Sequence, residues 1–245
     1  MSQVRTVVIS QPTYLPWSGY FRIMKEADIF VFLDTVQYER QSWQCRNRIK
    51  GPSKQPVWLT IPIKHESLYA QIENVQIANE SNWMRKHWNS IASFYGRTPY
   101  FAVYSPFLKS VYKKEWNSLS ELNISLIKYL ACQLGLSPIF LKSSHIDPQG
   151  KRTGLVLSIC KMLKANRYLS SIGAEEYMRT DHARELFEKE NIRVEFLEYN
   201  HPRYPQLFGE FIPDLAVVDC LFNCGPDSSK ILFNEKSASL HALDG

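Results

Sequence analysis

The chain has 245 residues, 22% charged and 44% apolar, with a formal net charge of +5. Those proportions are ordinary for a globular protein and exclude a disordered chain or a coiled coil. No apolar run reaches the about 18 residues of a membrane-spanning helix, and the mild charge lacks the sharp basic stripe of most nucleic-acid binders.

The β-branched run Thr6–Ser10 (TVVIS) reads as a buried strand. QPTYLPWSGYF, with its prolines and glycine, must be loop. Ser18 is placed to cap a helix over residues 19–27, whose apolar positions are Phe21, Ile23, Met24 and Ala27. Residues 29–33 are apolar throughout, as in a strand of a parallel sheet buried on both faces. The basic segment 35–56 reads as a long excursion or a β-hairpin arm, and residues 57–64 as a third strand. Helical spacing follows over 80–95, through Trp83, His87, Trp88, Ile91 and Phe94, and then over 101–113 and 119–134. Gly135 ends the last of these as a left-handed cap. Beyond it, strands at 137–144, 166–171 and 192–199 alternate with helices at 153–165, 182–191 and 213–225. The sum is one α/β domain over residues 1–245. It has a mainly parallel, Rossmann-like sheet flanked by helices and a helical insertion around residues 80–135.

The five cysteines are odd in number and irregular in spacing, which suits reduced thiols in a cytoplasmic protein. Cys220 and Cys224 form C-x3-C without a second pair, so they read as small apolar residues one helical turn apart and not as metal ligands. The N-terminal apolar run has no small-residue cleavage site, and no signal peptide is expected.

The loop after the first strand is the strongest local feature, because ligands of open α/β sheets bind beyond the carboxyl ends of strands. Gln11, Tyr14, Trp17 and Tyr20 offer an amide, two phenols and an indole there. Gly19 opens the next helix, where backbone N–H groups favour an anion. The alternative is that prolines and aromatics simply wedge this loop onto the core. Asp34 ends the second strand beside Gln37 and Tyr38, facing the same crevice or capping a turn. Arg46, Asn47, Arg48 and Lys50 form a cluster suited to phosphate or carboxylate, or a solvated strand face. His201, in the loop YNHPRYPQ, is the best-placed general acid or base, whereas His87 reads as a packed core histidine. No motif identifies a metal site, a cofactor or a nucleophile.

The runs QPTYLPWSGYF, ADIFVFLDTVQY, NRIK, WLTIPIK, YLSSIGAEEY, HPRYPQ and FIPDLAVVDCLFNCGP together resemble the WbqC-like family over nearly the whole chain. Besides the residues already named, the matching positions include Pro12, Pro16, Gly173, Tyr177, Gln206, Asp219, Asn223 and Gly225. The resemblance implies a protein of bacterial O-antigen or other surface-polysaccharide clusters that makes or decorates a sugar, often an amino sugar. A second resemblance, to the adenylyl-transferring α/β fold, covers the first thirty or so residues. W-S-G-Y keeps its glycine but puts Trp17 and Tyr20 where that fold carries two histidines. A neutral indole and phenol cannot supply the same charge to a phosphoryl transition state.

The leading expectation is a transferase adding an acyl or aminoacyl group to a nucleotide-linked amino sugar. His201 or Asp34 acts as base, Arg46 and Arg48 hold the diphosphate, and Tyr14 and Trp17 stack. Its partners are small molecules: the nucleotide sugar and an acyl or aminoacyl donor, with a charged tRNA as the one nucleic acid in view. The alternatives are an adenylate-forming enzyme that activates a small carboxylic acid, and a non-catalytic binding or scaffold protein of the polysaccharide pathway.

Overall fold

The computed structural model describes residues 4–180 and 182–243, without the side chains of residues 177 and 180; the family-matched Tyr177 side chain thus lies outside the described part. A six-stranded sheet forms the centre, built from β1 (Thr6–Ser10), β2 (Ile29–Phe32), β5 (Ile139–Lys142), β6 (Arg167–Ser171), β7 (Arg193–Tyr199) and β8 (Ala238–Ala242). Its spatial order is β5-β2-β1-β6-β7-β8, parallel except for β8, which pairs antiparallel with β7. Counting only these strands in chain order, the arrangement is 3-2-1-4-5-6, the doubly wound dinucleotide-fold order.

Alternate residues of the central strands feed two cores, as the two-residue period of a strand requires. Val7, Ile9, Ile29 and Val31 face α5 (Thr153–Met162), α6 (Glu175–Thr180) and α7 (Ala183–Lys189), through Ile159, Met178 and Phe187. Val8, Phe30 and Phe32 face the opposite layer. That layer holds α1 (Ser18–Met24), α4 (Leu119–Gln133) and α8 (Val218–Cys224). Between β2 and β5 the chain makes its long excursion. The hairpin of β3 (Arg46–Lys50) and β4 (Pro56–Thr60) comes first, followed by α2 (Trp83–Tyr95), α3 (Phe101–Val111) and α4. A short helix, α9 (Ser228–Leu232), precedes β8. No helix among the described residues is long and apolar enough to cross a membrane.

Three expectations change. The strand expected at 57–64 pairs only with β3 and lies outside the main sheet. It alternates exposed Trp58 and Thr60 around buried Leu59, the pattern of a strand with one solvated face. Ser18 is the first residue of α1 and does not cap it; Trp17 holds the cap position. The helix expected at 213–225 begins only at Val218, because Ala216 N–H donates to the Arg48 carbonyl and Val217 N–H to that of Pro16. Gly135 behaves as expected, at φ 72° after α4.

Candidate functional site

β1 leads the chain to β2 on one side, while β6 leads to β7 on the other, so the connections diverge between β1 and β6. Ligands of doubly wound sheets bind at this point. A cavity of about 220 Å³ opens there, between Ser10 at the end of β1 and Thr13 beyond it on one side and Ser170 and Ser171 at the end of β6 on the other. Trp17, Tyr20, Trp43 and Ile23 wall it, together with Asn47, and no charged side chain among the described residues lines it. A larger open groove of about 840 Å³ lies at the opposite, N-terminal edge of the strands, against Asp28 and Pro138. We place the candidate site in the smaller cavity, because only that one sits where the crossover directions part.

Asn47 explains how the first loop holds its shape. Its buried Nδ2 donates to the carbonyls of Leu15 (2.6 Å) and Tyr14 (3.3 Å), across a turn in which Leu15 takes φ 42°. Such a conformation in a branched residue persists only where its surroundings impose it. Trp17 then folds back over the start of α1. A Cβ on Gly19 would stand 2.4 Å from the indole carbons, so the glycine admits the ring. The backbone of Gly19 therefore faces an aromatic surface. Tyr20 is nearly buried, and its hydroxyl donates to the Gln11 carbonyl (3.1 Å). The Gln11 side chain accepts from the Gln44 amide at 2.7 Å.

Several expected site residues point away from the cavity. Tyr14 has no exposed surface; its hydroxyl meets His87 Nδ1 at 2.8 Å and the Tyr112 hydroxyl. Burial pushes the Tyr14 and Tyr112 phenols up and His87 down to about 4, so this buried cluster stays neutral. Asp34 is also fully buried. Its Oδ1 accepts from Ser143 Oγ and the Ser144 N–H, and its Oδ2 from Ser144 Oγ, all at 2.9 Å, with Lys142 Nζ 3.6 Å away. The carboxylate thus ties the end of β2 to the turn after β5, acting as a strut with no face to solvent. Tyr38 is buried, and Gln37 is exposed and bridges to Gln71.

Of the basic segment, buried Asn47 lines the cavity, while Arg48 lies outside it, 5.7 Å from the ring of Trp43 in its wall. Arg46 and Arg48 share one face of β3, and Trp58 stands opposite Arg48 on β4. Lys50, the next residue on that face, is 1% exposed; its Nζ donates to Gln206 Oε1 (3.2 Å) and to the carbonyls of Gly209 and Glu210. Its N–H meets the Tyr95 hydroxyl, which donates to buried Asp219 Oδ2 at 2.8 Å. Burial raises Asp219 to about 6, against the pull of Tyr95, Tyr204 and Lys50. Burial lowers Lys50, and Asp219 partly offsets this.

His201 lies just beyond β7, on the same C-terminal edge. Its ring packs on Tyr199 at 5.7 Å, and Tyr199 meets Trp17 edge-on at 5.6 Å. His201 Nδ1 lies 2.9 Å from the Pro202 carbonyl, which fixes Nδ1 as the protonated nitrogen of the neutral ring and leaves Nε2 as the acceptor. Burial lowers its pKa, with Asp214 and Pro202 pulling the other way. Reading the sequence alone missed Ser170, Ser171, Trp58 and Asp214 as neighbours of the site. Ser170 and Ser171 carried a usable signal, since they end a strand.

The WbqC-like protein family matches residues 11–231. The chain belongs to the WbqC-like family. A relative of this WbqC-like chain, "Uncharacterized protein Rv1507c" of Mycobacterium tuberculosis (strain ATCC 25618 / H37Rv), is 29% identical over 231 residues. The alignment covers 94% of this chain and 98% of the relative. No solved structure matches the chain.

Proposed function

We propose that this WbqC-like chain is a transferase that moves an acyl or aminoacyl group onto the amine of a nucleotide-linked amino sugar, in the making of a bacterial surface polysaccharide. The observation that carries the reading is the crevice between β1 and β6: a neutral pocket bearing hydroxyls, with two guanidinium groups outside it. At about 220 Å³ it is smaller than the roughly 300–1,000 Å³ of sites that enclose whole drug-sized ligands. One ring enters, Ser10, Thr13, Ser170 and Ser171 meet its hydroxyls, and the charged part of the ligand stays at the rim with Arg46 and Arg48.

His201 is the base. Its neutral ring, with Nδ1 committed to Pro202, presents Nε2 as a proton acceptor. The sugar amine attacks the donor's carbonyl carbon, and a C–N bond forms as the amine proton passes to Nε2. Collapse of the tetrahedral intermediate breaks the bond to the donor's sulfur or oxygen, which takes that proton as it leaves. Asp34, buried among its hydrogen bonds, braces the end of β2 and takes no part in the transfer. The adenylate-forming alternative gains no support, because the Trp17 indole covers Gly19.

The test incubates the protein with nucleotide-linked amino sugars and acyl-coenzyme A or aminoacyl donors, reading product by mass spectrometry. The expected product forms with wild type and falls about 10²–10⁴-fold in His201→Gln. Undiminished product in that variant removes His201 as the base. Binding without product overturns the transferase reading in favour of a non-catalytic binding protein.

A further inference from the structure

Trp43 and Trp58 are 47% and 44% exposed, and their rings pack 5.5 Å apart on the outer side of the hairpin. Two adjoining half-exposed indoles form an apolar patch of the kind that marks a binding surface. The Arg46 guanidinium rests 4.4 Å from the Trp58 ring centre, and that of Arg48 lies 5.7 Å from both rings. Neither arginine forms an ion pair among the described residues. Arg48 is held in place by the Asp214 carbonyl at 3.2 Å, yet its buried Nε has no hydrogen-bond partner. Two guanidinium groups without a counter-charge among the described residues, one with an unpaired donor, suit an anion with several oxygens.

We infer that this face of the hairpin seats the nucleoside diphosphate part of the ligand, Trp43 and Trp58 stacking the base and Arg46 and Arg48 clamping the phosphates. The inference rests on the proposed function for the sugar in the crevice, and it fixes which end of the ligand goes where. Trp43 both walls the cavity and forms half of the stacking surface, so the two subsites are continuous. The cavity has no charged lining, so the phosphates lie outside it. Base stacking on aromatic rings beside cations is the usual chemistry of flat, phosphorylated ligands. The row of cations also stops after two, because Lys50 is sealed beneath residues 206–210. That length suits a diphosphate and not the long charged track of a single-stranded nucleic acid.

The test is calorimetric titration of the intact protein with uridine diphosphate, in wild type, Trp58→Ala, Trp58→Phe and Arg48→Gln, each checked for folding by circular dichroism. Wild type is expected to bind. Trp58→Ala loses at least about five-fold in affinity, Trp58→Phe keeps most of it, and Arg48→Gln weakens uridine diphosphate but not uridine. The inference is overturned if uridine diphosphate does not bind, if Trp58→Ala binds it as well as wild type, or if a single-stranded oligonucleotide of about ten residues binds more tightly. Uridine diphosphate binding needs no transfer chemistry, so the two proposals fail separately. Binding that depends on Trp58 with no product from any donor keeps this inference and removes the transferase. Product formation with binding indifferent to Trp58 does the reverse.

Discussion

Replacing Asp219 with Asn isolates a buried charge that the fold carries at neutral pH. Asp219 has no exposed surface, one oxygen bonded to Tyr95 and the other, Oδ1, without a hydrogen bond. Burial lifts its carboxyl from the ordinary 3.8 to about 6. Between those values the folded chain binds a proton that the unfolded chain releases, so this group's contribution to stability is full below about 3.8 and is lost as pH rises through about 6. The loss corresponds to about 3 kcal/mol. Asn keeps the acceptor for Tyr95 and cannot ionise. The stability of Asp219→Asn relative to wild type should therefore rise by about 2 kcal/mol between pH 4 and pH 7. Urea unfolding of both proteins at pH 4, 5, 6 and 7 measures that difference and cancels the other carboxylates. Parallel curves, or a variant that loses ground as pH rises, would show that burial does not raise the Asp219 carboxyl. The second result would mean that the attraction between Asp219 and buried Lys50 outweighs the desolvation of the carboxylate.

Asp34→Ala strands the donors of Ser143, Ser144 and Lys142 and should lower stability by about 3–5 kcal/mol in urea unfolding; a loss under about 1 kcal/mol would show that the carboxylate is no strut. Gly19→Ala puts a methyl 2.4 Å from the Trp17 ring and should displace it, at a cost of about 1–3 kcal/mol and with a changed near-ultraviolet dichroism spectrum. An unchanged spectrum and melting point would mean that the indole does not lie on the helix. If His201 is the base, the acid limb of the rate profile should fall below pH 6.5, in line with the downward pull of burial on its ring. A limb above 6.5 would assign the base elsewhere.

The sequence and the fold agree best where burial is complete. β1 and β2 stand out as apolar runs at the centre of the sheet, while β6 and β7, also interior, mix apolar with polar or charged residues and read as strands from their alternation. β8 (ASLHA) stayed hidden because an edge strand with one solvated side needs few apolar residues. The hairpin was legible as an excursion, but nothing in residues 57–64 signals that their strand pairs only with β3. At the site, loop position alone was enough to suggest Trp17. It was not enough to separate it from Tyr14 or Asp34. Their partners His87, Tyr112 and Ser143 lie 73 to 109 residues away along the chain. A phenol or carboxylate that meets such partners turns inward, and local sequence carries no sign of it. Conversely, Trp58 reads as a strand residue until the hairpin sets it against Arg48 and Trp43.

On the proposed function, the crevice between β1 and β6 and the guanidinium groups outside it take a nucleotide-linked sugar. Thermal unfolding of the intact protein against nucleotide-linked amino sugars, ATP, acyl-coenzyme A and free amino acids tests it most directly. A ligand at a hundred times its dissociation constant adds about 2.7 kcal/mol, roughly 5–10 °C for a chain of this size. The full rise is expected with a nucleotide-linked amino sugar, which fills both the crevice and the stacking face, and a smaller one with ATP, which reaches only the stacking face and the guanidinium groups. A rise with ATP alone, or no rise with any nucleotide-linked sugar, would contradict the proposed function.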